Sequence, residues 1–397
     1  MRNQLLSGVR ILDLSHMLAG PYGTMLLADL GAEVIKIEPP PRGDPMRGMG
    51  PHFLAGESAY FLSINRNKKS LVLDLKAEEG KRVFYDLVKV SDVVYDNFRP
   101  GILKKLACDY ETLKEINPRI ICCSISGFGQ TGPYRDRPAF DLALQAITGA
   151  MSITGEPGRM PVRMGIPMGD LSGGMFAAFA VCAALYQRER TGQGGAIDLS
   201  LMDTTISLLT YVAQYYFADG VVPEPFGSSH ASVVPYQAFE TKDGCLVVAA
   251  FAEKFWQGLC RALGLEELIE DPRFLNNDLR RENKEALLPV LEEAFKAKTT
   301  DQWLEILEKE GVPSAPINTL DRVFEDPQVL ARHMKVEVDH SAIGKLPMIG
   351  NPVKISGVAE KEMAPPPTLG QHVEEVLAGI LGYAEEKIAD LRAKGIV

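Results

Sequence analysis

The residues best suited to chemistry lie in the stretch GIPMGDLSGGMFAAFAVCAAL at positions 165–185, which holds a single carboxylate, Asp170. Asp170 precedes Gly173, Gly174 and a long apolar run. An acid ahead of an apolar helix is most often an N-cap, a role that Ser172 also fits. A positioned carboxylate can equally act as a covalent nucleophile. Glycines disfavour a first helical turn but let a ligand approach the backbone closely, so the local sequence leaves both roles open for Asp170.

The loop SGFGQTGPY is a second candidate, because Gly127, Gly129 and Gly132 have the spacing of a dinucleotide-binding motif. That motif requires a helix to begin directly after the glycines. Pro133 follows at once, and the next residues, YRDRPAFD, show no helical periodicity. We therefore expect a flexible glycine loop, with an NAD site as the alternative.

Local positive charge indicates an anionic ligand in a chain whose formal net charge is -10. Basic residues cluster in NRNKKSLVLDLK at 65–76 and in NFRPGILKKL at 97–106. Two such clusters at strand–loop junctions of one sheet favour a phosphate-bearing ligand over a merely solvated surface. The segment SHMLAGPYG at 15–23 adds backbone amides and a helix start, which together form a natural anion site.

Several classes of function are not expected from the composition and motifs. The 6 cysteines form no C-x-x-C pair, and the 6 histidines show no H-x-x-x-H spacing, so we expect neither a disulfide framework nor a metal site. We find no G-x-S-x-G, H-E-x-x-H or P-loop motif. The chain has no basic stripe, so no nucleic-acid partner is expected.

Hydrophobic segments do not favour a membrane partner. The longest apolar run, 175–186, is about a dozen residues, whereas a bilayer span needs about 20. The N-terminal residues MRNQLLSGVRILDLSH lack the apolar core of a signal peptide. We therefore expect a cytoplasmic protein.

Alternating strand and helix patterns fill the first half of the chain. Segments 9–15, 33–38, 70–75, 92–97 and 119–126 read as strands that are apolar on both faces, which is typical of a parallel sheet covered by helices. From about residue 225 the pattern changes to a hairpin at 235–251 around Asp243–Gly244, followed by charged amphipathic helices.

A chain of 397 residues exceeds the usual size of one core. We predict an α/β fold with a large domain at 1–224 that carries Asp170 and resumes at 326–397. A smaller α+β domain is predicted at 225–325.

These stretches resemble the family III CoA-transferases, in the same order along essentially the whole chain. The matching segments include ILDLSHMLAGPYGTMLLADLGAEVIKIEPPPRGD, NRNKKSLVLDLK, NFRPG, GFGQTGPY, FDLALQAITG, MGDLSGG and RTGQGGAIDLSLMD. The resemblance implies a Rossmann-like large domain whose parallel sheet is built from both chain ends, and an interlocked homodimer. It also implies coenzyme A as a substrate, with no permanently bound cofactor.

The resemblance places the catalytic aspartate of the family at Asp170, which would form an acyl anhydride and then a CoA thioester. At an ordinary pKa of about 3.9 this carboxylate would be ionised at neutral pH. Candidate substrate or oxyanion residues are His16, Asp141, Gly173 and Gly174. The implied CoA contacts are Leu18, Ala19, Leu73, Asp74, Leu75, Lys76, Asn97, Phe98, Arg99, Lys105 and Arg137.

The substrates are predicted as an acyl-CoA and a small carboxylic acid. GSSHASVVPYQAFETKDG resembles family members that act on short dicarboxylic acids, so we expect a succinyl-type donor and a dicarboxylic acceptor. Leu18 replaces a glutamine of formyl-CoA transferase, which disfavours an oxalate/formate specificity. Candidates to bind a second carboxylate are Arg42, Arg47, Arg163 and His230.

Two alternative functions remain. One is a 2-methylacyl-CoA racemase of the same family, although Phe140 stands where those enzymes have a histidine. The other is a non-catalytic CoA-binding protein in which Asp170 only caps a helix.

Overall fold

Six parallel strands form the central sheet of the structure, a computed structural model that describes residues 4–397. The strands are β1 (Arg10–Asp13), β2 (Glu33–Glu38), β3 (Lys68–Val72), β4 (Val93–Asp96), β5 (Ile121–Ser126) and β6 (Gly195–Ser200). Their order is β3-β2-β1-β4-β5-β6, and every neighbouring pair is parallel. This is the order of doubly wound nucleotide-binding sheets, and it puts the topological switch point between β1 and β4. The predicted α/β class is confirmed.

The strands are apolar on both faces because each face packs against its own core cluster. Successive side chains of a strand point to opposite faces. Leu12 of β1 therefore joins one cluster with Phe84, and Ile11 joins the other with Leu27 and Val181. This burial on both sides explains why the strands read as continuous apolar runs.

Helices connect and flank the strands. They are α1 (Ala19–Asp29), α2 (Ala59–Ser63), α3 (Glu78–Lys89), α4 (Ile102–Leu106), α5 (Tyr110–Ile116), α6 (Asp141–Ile147), α7 (Met168–Thr191), α8 (Leu201–Ser207) and α9 (Thr210–Asp219). A 3₁₀ helix (Pro45–Gly48) and a short antiparallel ribbon (Phe53–Leu54 with Glu57–Ser58) lie between β2 and α2.

Helix α7 is the long helix that carries Asp170. Its 24 residues extend well beyond the apolar run at 175–186. By length and composition alone it is long and apolar enough to cross a bilayer, a test that the core helix of a globular domain also passes. In the structure it packs on α1, α8 and strands β5 and β6.

Glycines set the distance between α7 and α1. A Cβ on Gly174 would lie 2.6 Å from the carbonyl oxygen of Ala19 and 3.1 Å from the amide nitrogen of Gly23. A Cβ on Gly23 would lie 2.7 Å from the carbonyl oxygen of Gly174. The two helix backbones therefore touch, which holds the first turns of α7 against the segment that follows β1.

Contacts divide the described residues into two units, one formed by 4–150, 163–220 and 327–397, the other by 151–162 and 221–326. The second unit contains an antiparallel sheet of order β9-β8-β7, with β7 (Tyr236–Glu240), β8 (Cys245–Ala249) and β9 (Ser314–Pro316). Its helices are α10 (Glu253–Leu263), α11 (Glu267–Glu270), α12 (Asn277–Glu282), α13 (Lys284–Phe295), α14 (Thr300–Lys309) and α15 (Leu320–Val323).

The hairpin predicted around Asp243–Gly244 is confirmed by the pairing of β7 with β8. Asp243 Oδ1 accepts a hydrogen bond of 2.8 Å from the Thr300 amide, which ties this turn to the start of α14. Trp256, Phe295 and Trp303 are buried at the centre of this unit.

The C-terminal part of the chain returns to the first unit. It comprises α16 (Pro327–Ala331), the antiparallel strands β10 (Lys335–His340) and β11 (Gly344–Ile349), a π-helix (Glu375–Ile380) and α17 (Glu385–Ala393). Val376, Leu377 and Leu391 join the same core cluster as Leu12. Segments from the N-terminal and the C-terminal parts of the chain thus build this unit. The implied parallel sheet built from both chain ends is wrong, because its six strands all lie between residues 10 and 200 and the C-terminal segment packs against the sheet without adding a strand to it.

Candidate active site

A cavity of about 510 Å³ opens where β1, β4 and β5 end. The first two of these strands flank the topological switch point, which is where doubly wound sheets bind their ligands. The predicted site residues that line the cavity are Leu18, Ala19, Asn97, Phe98, Arg99, Arg137, Asp141, Arg163 and Asp170. The fold therefore brings together residues that lie far apart in the sequence.

Asp170 lies inside α7, as the third residue of the helix, and Pro167 occupies the N-cap position. The interpretation of Asp170 as a helix cap is therefore wrong, because the helix begins two residues before it. Ser172 does not cap the helix either, since its buried hydroxyl donates to the Gly169 carbonyl oxygen at 3.1 Å. The free amides are capped from outside the helix: Asp141 Oδ1 accepts hydrogen bonds from the amides of Gly169 (2.8 Å) and Asp170 (3.4 Å).

The Asp170 carboxylate is half-buried and, within residues 4–397, accepts no hydrogen bond and forms no ion pair. Burial, followed by the nearby negative charge of Asp141, raises its pKa to about 7. The expectation of an ordinary pKa is therefore wrong. An acid that lacks hydrogen-bond donors and is partly withdrawn from water is poorly stabilised as an anion, and it keeps the basicity that a nucleophile needs.

Gln145 connects the Asp141 carboxylate to the segment that precedes α7. Its Nε2 donates to Asp141 Oδ2 at 2.6 Å, and its Oε1 accepts from the Met164 amide at 2.9 Å. Gln145 is fully buried. Gln145 was not predicted from the sequence, although its i, i+4 spacing from Asp141 in one short helix is the signal that marks such a pair.

Replacing Asp141 by asparagine is expected to lower the pKa of Asp170. The side-chain carbonyl oxygen of the asparagine would still accept from the helix amides, but the negative charge beside Asp170 would be gone. The acidic limb of kcat/KM should then move to lower pH than in the wild-type enzyme. A pH profile from acidic to slightly alkaline conditions measures this shift. Asp203→Asn, at an exposed acid of α8, is the control that should leave the limb in place; an unmoved limb in Asp141→Asn contradicts the assignment.

Buried charges hold the loop that follows β1. Asp13 accepts from Thr24 Oγ1 at 2.7 Å and from Lys68 Nζ at 3.1 Å, and Lys68 Nζ also donates to the Pro21 carbonyl oxygen at 2.8 Å. Burial opposes ionisation of Asp13, but Lys68, Lys36 and the hydroxyl donors outweigh it and lower the pKa of Asp13 to about 2. The carboxyl end of β1 is thus fixed by charge pairs a few residues before Leu18 and Ala19.

The basic cluster at 65–76 is therefore largely structural. Lys68 is fully buried against Asp13, and the guanidinium of buried Arg66 donates to both oxygens of Asp29 at 3.0 and 2.6 Å. Only part of the predicted phosphate-binding charge in this cluster is left for a ligand, including Lys76, which reaches solvent.

The loop after β4 is joined to the loop after β1 by His16 and Asn97. The Asn97 side chain accepts from the His16 amide at 2.8 Å and donates to the His16 carbonyl oxygen at 2.7 Å. The His16 ring packs edge-on to Phe98 at 5.3 Å, outside the cavity lining. Burial, reinforced by Lys36, lowers the pKa of His16, so its ring is neutral at physiological pH. The backbone of His16 thus connects the loop after β1 to the loop after β4.

Gly173 and Gly174 are buried in the second turn of α7, where backbone amides bond to carbonyls four residues earlier. A Cβ on Gly173 would lie 2.1 Å from the Leu201 side chain, and Gly174 touches the backbone of α1. Close packing accounts for both glycines, and their oxyanion role stays a prediction.

The remaining implied CoA contacts lie away from the cavity lining. They are Leu73, Asp74, Leu75, Lys76 and Lys105. Leu73 is buried in the core, and the Asp74 amide donates to the Ile396 carbonyl oxygen at 2.9 Å. Lys76 and Lys105 both reach solvent.

Other cavity residues were not predicted as site residues from the sequence. Tyr60 of α2 lines the cavity, and burial together with the charges of Asp170 and Asp141 raises the pKa of its hydroxyl. Ser126 ends β5 with a buried hydroxyl that has no hydrogen-bond partner among residues 4–397. A polar residue at the end of an apolar strand is a signal for Ser126, whereas nothing in the sequence around Tyr60 marks it.

A doubly wound sheet that has a carboxylate, unpaired within residues 4–397, in the cavity beside its switch point is typical of an enzyme that acts on a bound ligand. Residues 6–373 match CoA-transferase family III, and the chain belongs to that family. It is 42% identical over 392 residues to succinyl-CoA:glutarate CoA-transferase of Homo sapiens, an alignment that covers 99% of this chain and 90% of the relative. The predicted family is confirmed, and the protein is a CoA-transferase.

Two further comparisons agree with this assignment. Acetyl-CoA:oxalate CoA-transferase of Acetobacter aceti is 41% identical over 359 residues, covering 90% of this chain and 91% of the relative. The crystal structure of a CAIB/BAIF family protein from Brucella suis has a TM-score of 0.86 and 39% sequence identity, covering 96% of this chain and all of the other.

Proposed function

We propose that this CoA-transferase moves CoA from a succinyl-type thioester to a short dicarboxylic acid, with Asp170 as the covalent nucleophile. The observation that carries the proposal is the Asp170 carboxylate, which lines the cavity without a hydrogen-bond partner within residues 4–397. The substrate class is supported by relatives whose names specify succinyl-CoA or succinate together with glutarate, at 42% and 38% identity.

The first half of the reaction transfers CoA to the enzyme. The ionised Asp170 attacks the thioester carbonyl, the C–S bond breaks, and CoA leaves as its thiolate from an acyl-aspartyl anhydride. The thiolate then attacks the aspartyl carbonyl of this anhydride. The donor acid departs as a carboxylate, and Asp170 is left as a CoA thioester. Covalent catalysis divides one difficult exchange into easier steps in this way.

The second half repeats these steps in reverse. The acceptor carboxylate attacks the aspartyl thioester and releases the thiolate, and the thiolate attacks the acceptor carbonyl of the new anhydride. The products are the acceptor CoA thioester and the free Asp170 carboxylate. Holding the thiolate beside the anhydride supports the rate, since good positioning is worth about 7–11 kcal/mol of barrier.

The chain supplies position and charge for these steps. Asp141 fixes the backbone of Asp170 by accepting its amide, and the segments Leu18–Ala19 and Asn97–Arg99 line the same cavity. Arg99, Arg137, Lys76 and Lys105 are the cations that we assign to the CoA phosphates. The large domain is, in this proposal, a Rossmann-like CoA-binding domain.

We also propose a homodimer in the cytoplasm. Exposed apolar side chains on α7 and α9 support the dimer: Phe179 is 71% exposed, Tyr186 67% and Phe217 72%. Large apolar side chains left this exposed are what a subunit interface would cover. The racemase alternative has less support, since Phe140 lines the cavity at the position where those enzymes carry a second base.

Substrate profiling tests the proposed function. Succinyl-CoA is incubated with glutarate and valerate, two acids with the same number of carbons, and with oxalate, and the CoA products are identified by mass spectrometry. We expect glutaryl-CoA as the dominant product, because a dicarboxylate site discriminates against an acid that leaves its charged groups unpaired. An absence of transfer to every acid, combined with deuterium uptake at the α-carbon of a 2-methylacyl-CoA, contradicts the transferase and supports the racemase.

A further inference from the structure

The structure separates the basic residues that were candidates for a second carboxylate. Arg163 lines the cavity together with Asp170. Arg47 is committed elsewhere, since its guanidinium bonds Glu38 at 2.7 and 2.8 Å and stacks over Phe61. Arg42 does not line the cavity, and His230 belongs to the second unit.

Arg163 is also an arginine that has no partner among the residues that the structure describes. Within residues 4–397 its side chain forms no ion pair, hydrogen bond or ring contact. Two other arginines of the cavity do have partners. Arg135 Nε lies 3.7 Å from Asp136 Oδ1, and the Arg137 guanidinium stacks 3.8 Å above the centre of the Tyr134 ring. Arg99 belongs to the loop that we assign to CoA, so Arg163 is the cation left for the acyl end.

The backbone beside Arg163 is held by the same side chains that hold Asp170. The Met164 amide donates to Gln145, Gln145 donates to Asp141, and Asp141 accepts from the Asp170 amide. Two side chains therefore connect the residue after Arg163 to the nucleophile. The backbone next to Arg163 is therefore held in place, while the exposed side chain of Arg163 can reach into the cavity.

The charges in the cavity require such a cation for a dicarboxylic substrate. Asp170 and Asp141 both line it and repel a second substrate carboxylate, so one of the arginines in the same lining has to pair with that carboxylate. The planar fork of a guanidinium matches a carboxylate with two parallel hydrogen bonds. We infer that Arg163 binds the carboxylate of the acyl group that does not react with Asp170 and so selects dicarboxylic acids, an inference that rests on the proposed function.

The test compares acceptors that differ only in this carboxylate. With succinyl-CoA as donor, kcat/KM is measured for glutarate and for valerate in the wild type and in Arg163→Gln. The ratio of the two values reports the acceptor half-reaction, so any effect on the donor cancels. Arg163→Gln should lower the ratio by about 10- to 100-fold, the worth of a hydrogen bond to a charged group.

Two further variants keep the outcome interpretable. Arg163→Lys retains the charge without the fork, so its ratio should fall between those of wild type and Arg163→Gln, and it replaces the glutamine variant if that protein shows no turnover. Arg135→Gln changes another cavity arginine and should leave the ratio as in wild type. A wild-type enzyme with no preference for glutarate contradicts the proposed function. A wild-type preference that survives in the Arg163 variants overturns the assignment of Arg163 alone.

Discussion

Asp170→Ala is expected to lower kcat/KM for CoA transfer by at least about 10³-fold, because the variant has no group that can carry the acyl and CoA intermediates. The measurement is the initial rate of acceptor CoA formation from succinyl-CoA and glutarate. Asp170→Asn keeps the shape of the side chain without its nucleophilic oxygen and should be similarly inactive.

A folding defect can be separated from this loss. A carboxyl whose pKa is raised in the folded state binds its proton more tightly there, so it costs stability once the pH exceeds its ordinary pKa. With a folded pKa of about 7, that cost is present at neutral pH. Asp170→Ala should therefore be at least as stable as the wild type at pH 7, as measured by thermal unfolding. Near-normal turnover in Asp170→Ala contradicts the role of Asp170 as the nucleophile.

Lys68→Met is expected to lower the free energy of unfolding by about 3–5 kcal/mol, because it leaves the Asp13 carboxylate buried without its cation. Both side chains are fully buried, and they hold the loop that leads to the cavity. The measurement is urea denaturation followed by far-UV circular dichroism. Fluorescence is less suitable, since both tryptophans, Trp256 and Trp303, lie in the second unit.

Lys69→Met is the matched control one residue further along β3. Its ammonium pairs with Glu33 and Glu375, but all three side chains reach solvent, at 25%, 31% and 54% exposure. Exposed pairs of this kind contribute about 1 kcal/mol or less. If both variants lost the same free energy of unfolding, the buried Asp13–Lys68 pair would contribute no more to stability than an exposed pair, which contradicts the prediction.

The strands of the sheet could be predicted because the pattern that identifies each strand lies within a few consecutive residues. Each strand is a short apolar run, and the alternation of Ile11 and Leu12 between two core clusters explains why no polar face interrupts it. The start of α7 was not predictable, because its free amides are capped by Asp141, nearly thirty residues earlier in the chain. No residue next to Met168 carries that signal.

The charged residues show the same limit. Lys68 and Lys69 are neighbours of one type, yet one is fully buried against Asp13 and the other reaches solvent. Their roles depend on the strand register and on partners tens of residues away. The pKa of Asp170 likewise depends on its burial and on the charge of Asp141. Neither can be deduced from the residues of the segment MGDLSGG.

Chemical trapping of the enzyme-bound intermediate tests directly whether Asp170 is the nucleophile. The protein is incubated with succinyl-CoA, treated with hydroxylamine and digested, and the peptides are sequenced by mass spectrometry. Hydroxylamine that attacks the aspartyl carbonyl of the anhydride or of the thioester displaces succinate or the CoA thiolate and leaves a hydroxamate on Asp170. Omitting succinyl-CoA should abolish the label. An enzyme that turns over while Asp170 stays unmodified, or that carries the hydroxamate on another residue, contradicts the assignment of Asp170 as the nucleophile.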